Sequence, residues 1–185
     1  MRRQNMLSSR QIMNTSFDRL RLVNTYGLFG TVSKKRHELI IEGTTDESID
    51  TNTEWRPYEF KAKPGGIDRG LPIISPYHYR LDWQIWFAAM SVPQQQPWIF
   101  HLIWKLLHND AGALSLLANN PFPNQPPGII KIELYRYKFL PPGDESGNVW
   151  ERKHVGAWLN THIVERALHA FALDFGFRVL RVGRF

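Results

Sequence analysis

Cysteine is absent from the 185 residues. That excludes a disulfide scaffold, a cysteine nucleophile, a thiolate metal site and a cysteine-ligated iron–sulfur cluster. It leaves the compartment open, because secreted proteins can also lack cysteine. No apolar run reaches the roughly 18 residues of a membrane-spanning helix, so none is expected within this sequence. The opening MRRQNMLSSRQIMNTSF never becomes the apolar run of about 7–15 residues that marks a secretory signal peptide. Arg-rich, Ser-containing and acid-poor, it loosely resembles a mitochondrial presequence with a thin apolar face. Pro64-Gly65-Gly66 is too short for a phosphate-binding loop and reads as a turn. Asp46, Glu47 and Asp50 lack the central glycine and terminal glutamate of a calcium-binding loop.

What is present fits one folded domain. Apolar residues make up 43% and charged residues 22%, a balance that disfavours wholesale disorder and supports a real core. The net charge of +6 is unevenly placed: residues 1–40 hold eight basic residues against two acids, and residues 41–60 hold one against six. A basic arm, an acidic loop, a near-neutral body and a basic tail follow one another. The cations are scattered rather than striped, and the cluster Lys34-Lys35-Arg36 reads as a turn between strands. A solvated surface accounts for them, and no nucleic acid partner is expected.

Along the chain, residues 1–17 form a polar lead carrying one glycosylation sequon at Asn14, meaningful only in the secretory lumen. Residues 20–42 read as two strands around a polar turn, the second covering His37 to Ile41. An acidic loop, 43–54, precedes a strand at 55–63 whose Pro57 assigns it to a sheet edge. Ser75 and Pro76 are placed to open a helix in which Tyr79, Trp83, Trp86, Phe87 and Met90 form one apolar face. A second helix covers Trp98 to Leu107, with Leu102 and Leu106 beside Ile99, Ile103 and Leu107. Asp110 offers a cap to a short third helix over 111–118. The stiff stretch PFPNQPPG leads to IIKIELYRYKF (129–139), whose strict alternation is a strand. A long hairpin loop and a return strand at Val149 to Val155 follow, with Trp150 as its core residue. Beyond it, a helix from Val164 to Leu173 and a strand over 175–182 are expected. Strands, then helices, then strands predict an α+β fold: a mostly antiparallel sheet with a helical insertion of two to three helices packed on one face. Regular strand–helix alternation is missing, which argues against a doubly wound sheet.

Three side-chain groups invite a chemical reading, and each has a plainer one. Ser75, His78 and Asp82 superficially resemble a nucleophile group, but a catalytic serine needs a strained, exposed presentation and an oxyanion hole. Local structural support is the plainer account. His101 and His108 are two helical turns apart, wider than the spacing zinc favours, and no third ligand is indicated. The seven tryptophans are the unusual feature, four of them (Trp83, Trp86, Trp98, Trp104) on two adjacent helices. Large rings mostly form core; a patch for a partner or for a membrane boundary are the other readings. No catalytic, cofactor-binding or metal-ligating residue is assigned.

Five ordered blocks carry a more specific signal. They are RQIMNTSFDRLRLVNTYGLFG (10–30), Trp55 to Lys61 with Lys63-Pro64-Gly65, and Ser75 to Trp83 continued by Trp86-Phe87-Ala88-Ala89. Asn120-Pro121-Phe122 with Leu134 to Phe139, and Trp150 with Arg152-Lys153, complete the series. In this order they resemble the soluble C-terminal region of the lipase maturation factor family, over about residues 5–155. The resemblance implies a luminal, non-enzymatic module of a multi-pass endoplasmic reticulum membrane protein. Such proteins assist folding and assembly of dimeric secreted lipases, such as lipoprotein lipase. It implies client lipases and other secretory proteins as partners, with no cofactor. Membrane association would come from segments outside this chain. The alternative is a membrane-peripheral or protein-binding adaptor without a lipase client. The domain organisation implied is a polar lead (1–17), the family domain (18–155) and a divergent tail (156–185). Without a signal peptide, a chain starting at Met1 is not expected to reach the lumen alone, and a fragment of a longer membrane protein is the simplest account.

Overall fold

The computed structural model describes residues 35–74, 77–141, 143–159 and 163–164. The polar lead with Asn14, the first strand expected before Ser33, Ser75, and the helix and strand expected after 164 lie outside these residues. The chain divides into units 1–35 and 36–185, and the elements below belong to the second.

Among the described residues, five strands form an antiparallel sheet. β1 (Arg36–Thr44) and β3 (Ile129–Phe139) pair along their whole length, from Arg36 opposite Tyr137 to Thr44 opposite Ile129. β2 (Arg56–Tyr58) flanks β1 over Ile41 to Gly43, and β4 (Trp150–Ala157) flanks β3, giving the order β2-β1-β3-β4. β5 (Ile163–Val164) pairs Ile129 and Ile130 on the edge of β3 that β4 has left. Val164 is therefore in a strand, not at the start of a helix. Pro57 cannot donate to a ladder, and β2 accordingly lies at the sheet edge. A bulge opposite Leu134 and Tyr135 inserts Val155 into β4 as an extra residue, and Gly156 follows at φ +154°, where a side chain would be strained.

The helices lie between β2 and β3 in the chain: α1 (Arg80–Ala88), α2 (Trp98–Leu107) and α3 (Ala111–Leu114). They cover one face of the sheet. Leu39, Ile41, Ile130 and Ile132 present that face, and Ile85, Ile99, Ile103 and Leu106 pack onto it. The alternate residues form a smaller second cluster of Ile40, Tyr137 and Trp150 on the other face. Gly43 allows the 121–128 connection to approach, since a β-carbon there would stand 2.9 Å from the Phe122 ring. The Asp110 carboxylate caps α3 by accepting the Ala113 N–H at 2.8 Å, and this bond, with Lys105, holds its carboxyl below the usual range. Trp158, past the end of β4, is buried and donates to the Ser91 carbonyl at 3.0 Å, fastening the strand end to the helical layer.

Two expectations about α1 need correction. The helix begins at Arg80 with Tyr79 at its N-cap position, so neither Ser75 nor Pro76 opens it. Its buried face is Leu81, Asp82, Ile85 and Ala88, opposite the aromatic stripe. A helix with two apolar stripes must place one inward, and periodicity does not say which. The small Ala88 and Ala89 let the aliphatic side approach the sheet, and bulky rings would hold it away.

Candidate functional site

The 59–70 segment follows β2 and carries the Lys63-Pro64-Gly65 block. β2 leaves β1 after Ile41, and the next outward carbonyl of β1, that of Leu39, accepts from Lys63 Nζ at 2.7 Å. A buried ammonium thus takes the place of a neighbouring strand at this edge. Its charge is met by Glu38, fully buried on β1, whose Oε2 lies 3.4 Å from Nζ with angles outside hydrogen-bond geometry. Arg36 Nε donates to the other carboxylate oxygen at 2.8 Å. Burial pushes the Lys63 ammonium below its ordinary pKa, and the Glu38 carboxylate opposes that shift.

The remainder of the segment is pinned from three sides. Asp82, reaching in from α1, accepts the Ala62 and Lys63 backbone N–H groups at 2.5 and 3.1 Å. The Tyr137 hydroxyl donates to Gly65 O at 2.7 Å and the Trp150 indole to Arg69 O at 2.8 Å. Arg69 closes the loop on itself through the carbonyls of Phe60 and Lys61. Burial raises the Tyr137 pKa and keeps its hydroxyl a donor. Lys63, Asp82 and Arg69 hold backbone, and Glu38 and Arg36 balance the buried charge, an arrangement that locks the segment in place.

Ser75 lies outside the described residues, and the other residues singled out for catalysis or metal binding do not converge on one site. Asp82 faces the 62–63 backbone, while His78 is exposed with its ring 5.9 Å from Trp83. His101 and His108 are exposed, and His108 Nδ1 lies 2.8 Å from the Trp104 carbonyl. Asp50 caps its own turn by accepting from Asn52 N at 2.8 Å. Among the described residues no three His, Cys, Asp or Glu side chains could hold a metal ion. No helix among them is long and apolar enough to cross a membrane.

The tryptophans divide by role. Trp150 and Trp158 are core, and Trp98 and Trp104 are partly buried against it. Trp83 is 41% exposed and stands with Trp86 and Phe87 in a cluster of rings 5.2 to 5.5 Å apart. Large exposed apolar side chains gather around it in sequence: Leu71, Ile73 (97% exposed), Tyr77, Met90 and Val92. Sequence reasoning found the aromatic stripe but missed the Lys63–Glu38 pair. Glu38 beside the apolar Leu39-Ile40-Ile41 run was the available signal, and a glutamate on a strand more often faces solvent.

An α+β module with a locked loop and an apolar outer helix face is the class these features define. The description "Lipase maturation factor C-terminal domain" matches residues 22–160. The chain belongs to the lipase maturation factor family. It is 51% identical over 159 residues to lipase maturation factor 1 of Homo sapiens, covering 83% of this chain and 28% of that protein. To the Mus musculus protein of the same name it is 53% identical over the same shares. To lipase maturation factor 2 of Rattus norvegicus it is 37% identical over 147 residues, 76% of this chain and 20% of that one. The chain thus spans less than a third of the length of the curated relatives it matches. No solved structure matches it.

Proposed function

We propose that this chain is the client-handling C-terminal module of a lipase maturation factor, assisting folding and assembly of secreted lipases on the luminal side of the endoplasmic reticulum membrane. The observation that carries the reading is the match over residues 22–160, at about half identity to proteins named for that role. The module performs no bond-making step. It holds polypeptide, and membrane association comes from other parts of the full protein. The exposed Trp83 and its apolar neighbours support a surface that meets client area normally buried in the assembled lipase.

The test is replacement. A full-length lipase maturation factor carrying this chain instead of its own C-terminal domain is expressed in cells lacking the endogenous factor, and secreted lipase activity is measured. Restored secretion is expected. No restoration from a chimera present at normal level, folded and correctly placed in the membrane, contradicts the reading.

A further inference from the structure

Among the described residues, β4 ends the sheet on the side away from β2. The Trp150 N–H does not meet β3; it donates to the Ile67 carbonyl at 2.9 Å. Backbone direction alternates along a strand, so Arg152 and His154 also turn their N–H and C=O groups to the outer edge. Glu151 to Val155 are all exposed, and among the described residues nothing pairs with that edge. The opposite edge is treated differently: β2 covers part of it and the Lys63 ammonium takes the next carbonyl.

Charge on this edge is one-sided. Arg136 and Lys153 sit directly opposite each other, exposed on one face of the β3–β4 pair, and among the described residues neither has an acidic partner within 4 Å. Like charges in that relation destabilise a sheet. On the other face Arg152 lies 4.7 Å over the Tyr135 ring, and His154 contacts Glu133 at 2.8 Å. The one acid of the open stretch, Glu151, is within 3.9 Å of Lys138.

We propose that the β4 edge takes up an extended acidic polypeptide segment as an added strand. The backbone groups of Arg152 and His154 supply main-chain hydrogen bonds, and a carboxylate of the incoming strand lies beside Lys153 and relieves its repulsion with Arg136. A second copy of β4 paired about Arg152 or Lys153 would set that cation directly against itself, whereas an acidic segment meets both with opposite charge and is the better-matched occupant. The bulge at Val155 and the Ile67 carbonyl bound the open stretch, fixing its span at about four residues, or roughly 13 Å. This surface is separate from the aromatic face of α1, and its existence does not depend on the client being a lipase.

The test uses the full chain and three fluorescent octapeptides: alternating Val-Glu, the same peptide N-methylated at every backbone nitrogen, and alternating Val-Lys. Anisotropy reads binding, and amide hydrogen exchange reads protection. The Val-Glu peptide is expected to bind and to slow exchange at Arg152 and His154. Both other peptides should bind weaker by roughly tenfold or more. Lys153→Glu should weaken Val-Glu binding by a similar factor and strengthen Val-Lys binding, with an unfolding midpoint no lower than that of the parent chain, since it removes the repulsion with Arg136. Arg136→Glu replaces that variant if it fails to fold. Equal binding of the N-methylated peptide would show charge adhesion without strand addition and overturn the proposal. Absent binding, or indifference to charge reversal, overturns it too.

Discussion

Lys63 shows how one residue holds a loop and a sheet edge together. Its ammonium is buried with the Glu38 carboxylate and bonds the Leu39 carbonyl. Removing one member of a buried pair leaves the other charge uncompensated, which costs about 3–5 kcal/mol. Arg36 still meets the Glu38 carboxylate at 2.8 Å, so Lys63→Met should lower stability by about the low end of that range in urea titration. Replacing both, as Lys63→Met with Glu38→Leu, should recover most of it, because no buried charge is stranded and the Arg36 side chain left behind is exposed enough to be solvated. A double variant no more stable than the single one would show that the Leu39 carbonyl bond, rather than charge compensation, carries the effect. Trp83 is the contrasting residue: large, apolar and placed outside the core.

At the scale of elements, α1 separates packing from surface. Ile85 is fully buried against the sheet, whereas Trp83 shares its stripe with Trp86 and Phe87. Ile85→Ala should cost roughly 2–5 kcal/mol. Trp83→Ala should cost less than about 1.5 kcal/mol, the scale of aromatic pair contacts. The reverse order in denaturant unfolding would make the aromatic stripe part of the core. This helix is also where the sequence was hardest to read. β3 was legible to the residue because strict alternation over 129–139 has one interpretation, and α2 because its apolar residues fall on one broad face. α1 offered two apolar stripes, and the choice between them depends on how close the sheet approaches, a tertiary quantity. Its start was misplaced because Ser75-Pro76 has the chemistry of a helix opening, yet the helix begins four residues later. Asp82 was legible as an acid in a helix but not as the acceptor for a loop twenty residues away. The β4 edge could be located from the hairpin pattern, but the facing of Arg136 and Lys153 needed the register.

For the whole molecule, the buried charges serve architecture, and the proposed client role falls to the outer surfaces. The lock at Lys63, Glu38 and Asp82 ties the sheet to the helical layer, and the exposed Trp83 and the β4 edge lie on separate surfaces of the described residues. Such a module should discriminate by the folding state of its client, because exposed apolar area and extended backbone are both withdrawn when a lipase folds and dimerises. The most direct measurement is a pair of titrations of this chain, one with partly unfolded lipase and one with the native lipase dimer, followed by calorimetry. The account predicts binding to the partly unfolded lipase at least roughly tenfold tighter than to the dimer. Equal affinity for the two, or no binding to either, would contradict it.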